Sequence, residues 1–386
     1  MRTGVGLTVL LLSIFVRFVR VGGVDCTFAT STNVLNISED CTMKRIGDNY
    51  TRFQTNSPVF FIHGTPLWLP QKILTINDDR LRHFKVSTDT ELVLVNLELV
   101  GGEINTIPNV KRGGAVLVEE NSRLTAKKVK FVGNTAHRGG FAVYLKQNAI
   151  FNCTDCVFSG NKWRSKASTN NDFFGTIGGR EIGGLYLRNC HFIDNIAWNE
   201  QGGAIGVKLY RLGSGQGPRD NEGVVLENCI FQNNRARNGG AVYFGHASKA
   251  IVKNCTFFNN NATSGDGGGI FIDNGVSYGS PFRIEKSLFE SNSALEGNGG
   301  AIAMTRTSLS NLHLSPEGPN SEIKYEPMLV NDCRFDKNVA NSSGGALFMK
   351  VPNYDKFEPG QAVELNNSVF KSNFAMGSNG GGAVRV

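Results

Sequence analysis

Short apolar runs with a period of two recur along the chain, each bounded by Gly, Asn or Asp. Ala241-Val-Tyr-Phe244, Ala250-Ile-Val-Lys-Asn-Cys-Thr-Phe257 and Gly269-Ile-Phe-Ile-Asp273 are β-branched and aromatic, and they predict strands, not helices. A repeated phrase runs through them: Phe-x-x-Asn-x-Ala, a polar gap, then Gly-Gly-Ala and a small aliphatic residue. Its Phe and Asn members are Phe131/Asn134, Phe158/Asn161, Phe192/Asn195, Phe231/Asn234, Phe257/Asn260, Phe289/Asn292, Phe335/Asn338 and Phe370/Asn373. The Ala two places after Asn is kept in every copy but the second, where Trp163 stands. Gly-Gly-Ala follows intact from Gly113, Gly202, Gly239, Gly299, Gly344 and Gly381, and more loosely from Gly139 and Gly267.

Self-similarity at a fixed period marks a solenoid, whose units bury an apolar face only by stacking on their neighbours. Two strands per repeat with tight corners predict an all-β parallel β-helix, each strand pairing with its equivalent one coil away at about 4.8 Å. Phe at its strand end then points inward and stacks on the next Phe. Asn falls in the corner, where its side chain satisfies backbone groups and where it tolerates left-handed φ. Gly-Gly permits the next bend, and the small Ala lets two walls approach. The Asn column is structural on this reading, with no catalytic residue and no metal ligand expected in it.

The chain has 386 residues, 46 of them Gly, which suits many corners in a fold that grows in one dimension. Arg2 precedes the apolar run 5–16, and Gly22 and Gly23 follow it, so residues 1–23 read as a secretory signal peptide. The run is short for a membrane span, and a membrane is expected only through an uncleaved signal or a C-terminal anchor absent from this sequence. The net charge of +7 includes Arg2, Arg17 and Arg20; without them 37 basic residues face 33 acidic ones, a net of +4. That is too diffuse for nucleic acid, and Lys127, Lys128 and Lys130 read as a solvated strand edge. Sequons at Asn36, Asn49, Asn152, Asn254, Asn261, Asn341 and Asn366 agree with secretion and are candidate glycosylation sites.

Five of the eight cysteines share one repeat position, two before Phe: Cys156, Cys190, Cys229, Cys255 and Cys333, with Ser287 and Ser368 in other copies. Residues i and i+2 share a strand face, so these thiols should lie in the core as small hydrophobes. Axial disulfides such as Cys229 with Cys255 are within reach but poorly aligned. Cys26 and Cys41 precede the repeats and are expected to pair with each other. Cys153 and Cys156 have CxxC spacing without a second CxxC or clustered His, which gives no cofactor or metal.

Residues 24–90 lack the repeat phrase and are expected to cap the open core, with coils over 91–386. Insertions at 210–223, 274–281, 305–327 and 352–361 fall at one corner, the arrangement that builds a binding face, and 162–182 falls at the other. The chain stops inside a repeat at Val386, which points to truncation at the C-terminus.

The pairing of Phe-x-x-Asn with Gly-Gly-Ala-(Ile/Val/Leu) over about residues 96–386 resembles the repeat of polymorphic outer-membrane proteins of intracellular bacteria, and of related β-helix proteins in unicellular eukaryotes. That resemblance implies a right-handed, pectin-lyase-like solenoid, secreted or on the cell surface, acting as a non-catalytic adhesive scaffold. Its implied partners are extracellular glycans or surface proteins. The rival class is a polyuronate lyase, hydrolase or epimerase, which needs clustered carboxylates. Candidates are thin: Asp78-Asp79-Arg80 in the expected cap, and Asp266, Asp273 and Glu285 on neighbouring segments.

Overall fold

A computed structural model describes residues 34–36, 41–43, 59–63, 71–76, 82–104, 112–163, 175–208, 223–245, 250–273, 282–305, 328–350, 363–377 and 381–386. All of its regular elements are strands, arranged in four parallel sheets of eleven, eleven, nine and ten strands. The molecule is a parallel β-helix, and each sheet is one wall of the stack.

One coil illustrates the path. The chain runs along the first wall at Arg123–Lys127, the second at Lys130–Val132, the third at Thr135–Ala136 and the fourth at Val143–Leu145. Each strand then pairs in register with its equivalent, as Phe131 with Phe158 and Val143 with Ile177. A coil therefore has four strands where the sequence predicts two. The additional walls are short: a two-residue strand shows no alternation for a sequence pattern to reveal.

Three left-handed positions recur from coil to coil, and the N-terminal coils add another between the fourth and first walls, at Asp89, Asn121, Asn148 and Glu181. One separates the first two walls, as at Asn228 (φ 54°) and Asn254 (φ 51°). The second immediately precedes the repeated Asn, as at Asn233 (φ 55°) before Asn234, Asn259 (φ 53°) before Asn260 and Ser291 (φ 56°) before Asn292. The repeated residues themselves, Asn134, Asn161, Asn195, Asn234, Asn260, Asn292, Asn338 and Asn373, are not left-handed, which corrects the expectation from sequence. The physical reason is a division of labour: the residue before turns the backbone, and the Asn side chain is thereby aimed inward to bond other coils. The third left-handed position is the first Gly of Gly-Gly, at Gly239 (φ 58°). The second Gly has a different task, since a Cβ on Gly240 would collide with the Gly268 carbonyl and the backbone of Asn261.

The coils also begin earlier than residue 91. Val34–Asn36 and Val59–His63 extend the first wall, Cys41–Met43 and Lys72–Ile76 the second, and Phe84–Val86 the fourth. The described strands of the segment expected as a cap therefore belong to the walls of the solenoid. Its landmarks differ because Leu74 and Leu99 occupy the place of Phe, in register with Phe131. The signal segment, Asn49, Cys26 and Asp78-Asp79-Arg80 lie outside the described residues, as do most residues of the insertions.

Candidate functional site

The residues that the sequence singles out form two internal columns. Phe131, Phe158, Phe192, Phe231, Phe257, Phe289, Phe335 and Phe370 stack with ring centroids 4.6–5.0 Å apart and planes within 3–9°. Each stacked pair adds about 0.5–1.5 kcal/mol to the burial of its rings. Beside them, Asn161 Nδ2 donates to the Phe131 carbonyl of one coil and to Asn195 Oδ1 of the next. Its Oδ1 accepts from the N–H and Nδ2 of Asn134. Asn292 repeats the arrangement four coils on: Nδ2 donates to the Phe257 carbonyl at 2.9 Å and to Asn338 Oδ1 at 3.0 Å, and Oδ1 accepts from the N–H and Nδ2 of Asn260. The pattern continues through Asn338 to Asn373, and every member from Asn134 to Asn338 has zero exposure. The amide is used in full by the neighbouring coils.

At the N-terminal end this column changes residue. Gly102 occupies the Asn position and has no side chain, and a Cβ there would meet His83 Nδ1 at 2.8 Å and Asn134 Oδ1 at 2.9 Å. His83 fills the slot: its Nε2 donates to the Leu74 carbonyl at 2.9 Å. Burial lowers the imidazole pKa to about 4 and keeps it neutral.

Cys156, Cys190, Cys229, Cys255 and Cys333 form the expected inward column and carry free thiols. Their Sγ atoms donate to backbone carbonyls, as Cys190 to Arg188 at 3.3 Å and to Cys153 at 3.6 Å. Folding brings Cys190 to the CxxC pair, so that the sulfurs of Cys153, Cys156 and Cys190 lie within 4.8 Å of one another. Burial pushes the thiols of Cys153 and Cys156 well up.

The three carboxylates do not converge. Asp266 Oδ1 accepts from the N–H and Nδ2 of Asn298, within a corner chain that begins at Asn238. Asp273, in the fourth wall, accepts from the Tyr243 hydroxyl at 2.8 Å. Glu285, in the first wall, lies 3.9 Å from Arg283. Among the sequons, Asn254, Asn341 and Asn366 are exposed, whereas Asn152 and Asn261 are half-buried. An open cavity of about 350 Å³ on the fourth wall includes Arg112, Tyr144, Lys146 and Arg180, but Glu120 and Glu181 share its lining.

A different cluster emerges where the repeat breaks. In the third wall Ala197 pairs with Ala236 and Gln201 with Asn238, leaving Trp198, Asn199 and Glu200 opposite Arg237 alone. This two-residue bulge turns Trp198 out to 46% exposure, with the Arg235 guanidinium 4.7 Å from its ring centre. Glu200 is 6% exposed, and desolvation raises its pKa to about 8, opposed by the charge of Arg237. Its carboxyl is neutral at pH 7. Arg235 Nε, Gln201 Oε1 and Asn261 Oδ1 are buried atoms without a hydrogen-bond partner among the described residues. Trp198 and Glu200 escape sequence reasoning because they occur once and outside the repeated positions.

With this geometry in hand, likeness to known proteins can be placed on the coils. The family model of the Chlamydia polymorphic membrane protein repeat matches residues 228–245. That stretch of the chain is similar to the family's repeat. The match runs from the first-wall corner through Phe231 and Asn234 to the end of a fourth-wall strand, and so covers three of the four walls of one coil. The probable autotransporter YfaL of Escherichia coli strain K12 is 30% identical over 139 residues, 33% of this chain and 10% of YfaL. The chain thus aligns with about a tenth of that relative's length. The catalytic domain of a GH87 alpha-1,3-glucanase, solved with tetrasaccharides, aligns with 87% of this chain and 63% of its own at 11% identity and a TM-score of 0.37. That likeness is too loose to bear on function.

Proposed function

We propose that this chain is a cell-surface or secreted scaffold that binds other molecules through its outer walls and performs no catalysis. The observation that carries the reading is the division of chemistry between inside and outside. Phe, Asn and Cys columns use their aromatic and polar capacity on neighbouring coils, while at the third-wall bulge an indole and the Arg237 side chain are exposed and the Arg235 guanidinium lies over the indole ring. Likeness to polymorphic membrane protein repeats and to an autotransporter supports a surface location. Glycans or surface proteins are the partners such a wall would meet, and N-glycosylation of the exposed Asn254, Asn341 and Asn366 accords with that exposure.

The test is attachment of the full chain to cells or extracellular matrix. Saturable attachment of folded protein is expected, and its absence would overturn the reading. Glu200 favours one competing reading, because a carboxyl held neutral near pH 7 is what a general acid requires. Polyuronates incubated with the protein and calcium would reveal it. Turnover abolished by Glu200→Gln would replace the scaffold with a polysaccharide-active enzyme.

A further inference from the structure

We propose that the third-wall bulge binds an acidic polysaccharide, with Arg235, Arg237 and Lys162 facing its carboxylate or sulfate groups and Trp198 stacking on a sugar ring. The inference deepens the scaffold reading and rests on it.

Charge distribution comes first. Some outer-wall cations are matched, Arg188 with Glu227, Lys130 with Glu98, Arg334 with Asp336, and both Lys85 and Lys146 with Glu119, while others such as Arg123 and Lys253 stand singly on the first wall among the described residues. Lys162, Arg235 and Arg237 have no ion pair among the described residues. The carboxyl beside them, Glu200, is buried and opposes no anion while it holds its proton. An unmatched cationic patch favours an anionic ligand.

Shape narrows the class. Lys162 pairs with Ile196, and Ile196 with Arg235, so the two cations sit two coils apart, about 10 Å along the stack. That spacing suits an extended chain better than a single small anion. Trp198 presents a flat apolar surface beside the guanidinium, suited to the C–H face of a sugar.

Binding of the full chain to immobilised heparin, polygalacturonate, dextran and polyglutamate tests the proposal. The expected result is binding to heparin, polygalacturonate or both, with none to dextran. Affinity should fall at least tenfold in Trp198→Ala and in the Arg235→Ala/Arg237→Ala double variant, with unfolding midpoints unchanged. Arg237→Gln provides a milder variant, and Arg188→Ala, altering a paired cation of the first wall, should leave affinity alone. Heparin alone would identify sulfate, and polygalacturonate alone carboxylate. Three results would each overturn the proposal: no binding to either acidic polysaccharide, equal loss in Arg188→Ala, or polyglutamate binding as strong as theirs, which marks an acidic-peptide site. If cell attachment persists without polysaccharide binding, the ligand class alone falls; if both are absent, the scaffold reading falls too.

Discussion

The Asn column and the third-wall bulge leave the same corner of the coil, three residues apart at Asn195 and Trp198, and use their polar groups in opposite ways. Asn195 is fully buried, donates to the Phe158 carbonyl and Asn234 Oδ1, and accepts from Asn161. Trp198 is half-exposed, and around it stand unpaired cations, a neutral carboxyl and orphaned acceptors. In a solenoid, a polar residue that repeats at the coil period finds its partner in the next copy of itself. One that occurs once has no copy of itself to pair with and must find a different partner, as His83 does in the Leu74 carbonyl.

The largest effect should come from breaking the column in the middle. Asn234→Ala orphans the Asn195 N–H, which donates to Oδ1 at 3.2 Å, and the Phe192 carbonyl, which accepts from Nδ2 at 3.0 Å. Each buried orphan costs about 1–3 kcal/mol, and the Nδ2 groups of Asn195 and its neighbours add to that. Chemical denaturation should register a loss of about 4 kcal/mol or more. Asn292→Ala, equally enclosed, should lose as much, whereas Asn373→Ala, at the half-buried end of the column, should lose far less.

Next comes the ring stack. Phe231→Ala removes one ring from a pile with centroids 4.9 and 4.6 Å away and should cost about 3–5 kcal/mol. Phe231→Leu should cost no more than about 1.5 kcal/mol, because Leu99 already fills the equivalent place beneath Phe131. Equal losses in the two variants would show that the ring itself, and not the volume it fills, holds the column.

What could be read from the sequence follows the same division. The Phe, Asn and Gly-Gly positions were legible because each recurs with its physical reason intact. The coils before residue 91 were not, because Leu74 stands where later coils have Phe, and His83 fills the Asn slot from nineteen residues upstream of Gly102. The third wall was hidden by strands too short to alternate. The bulge left only a spacing: Gly202 follows Asn195 by seven residues, whereas Gly239 follows Asn234 by five. Seven also separates Asn260 from Gly267, where no indole emerges, so the spacing alone could not locate a site.

His83 provides a titratable contrast within the column. Its pKa falls from 6.5 to about 4 on folding, so between those values the unfolded chain binds a proton that the folded chain refuses. Stability should be complete above pH 6.5 and decline as pH falls to about 4, by about 3 kcal/mol from this group. His83→Asn keeps a donor for the Leu74 carbonyl and cannot charge. Its stability should therefore vary less between pH 7 and pH 4 than that of the parent, and identical pH profiles would remove His83 from the account.

Glu200 should give the smallest effect and the opposite sign. Here the folded state retains a proton that the unfolded chain loses, because burial lifts the carboxyl from 4.5 to about 8. Stability from this group is highest below pH 4.5, falls as pH rises toward 8, and is level above it. Arg237 and the water at the rim of the patch screen the penalty, leaving about 1–2 kcal/mol. Glu200→Gln should match the parent at pH 4 and exceed it at pH 9 in denaturant midpoint. A gain at both pH values would instead mean that Gln packs better, and the bulge would lose its neutral carboxyl as a feature of its chemistry. A gain confined to alkaline pH would establish that the fold maintains an uncharged acid beside unmatched cations at a stability cost, as a site kept for an anion would require.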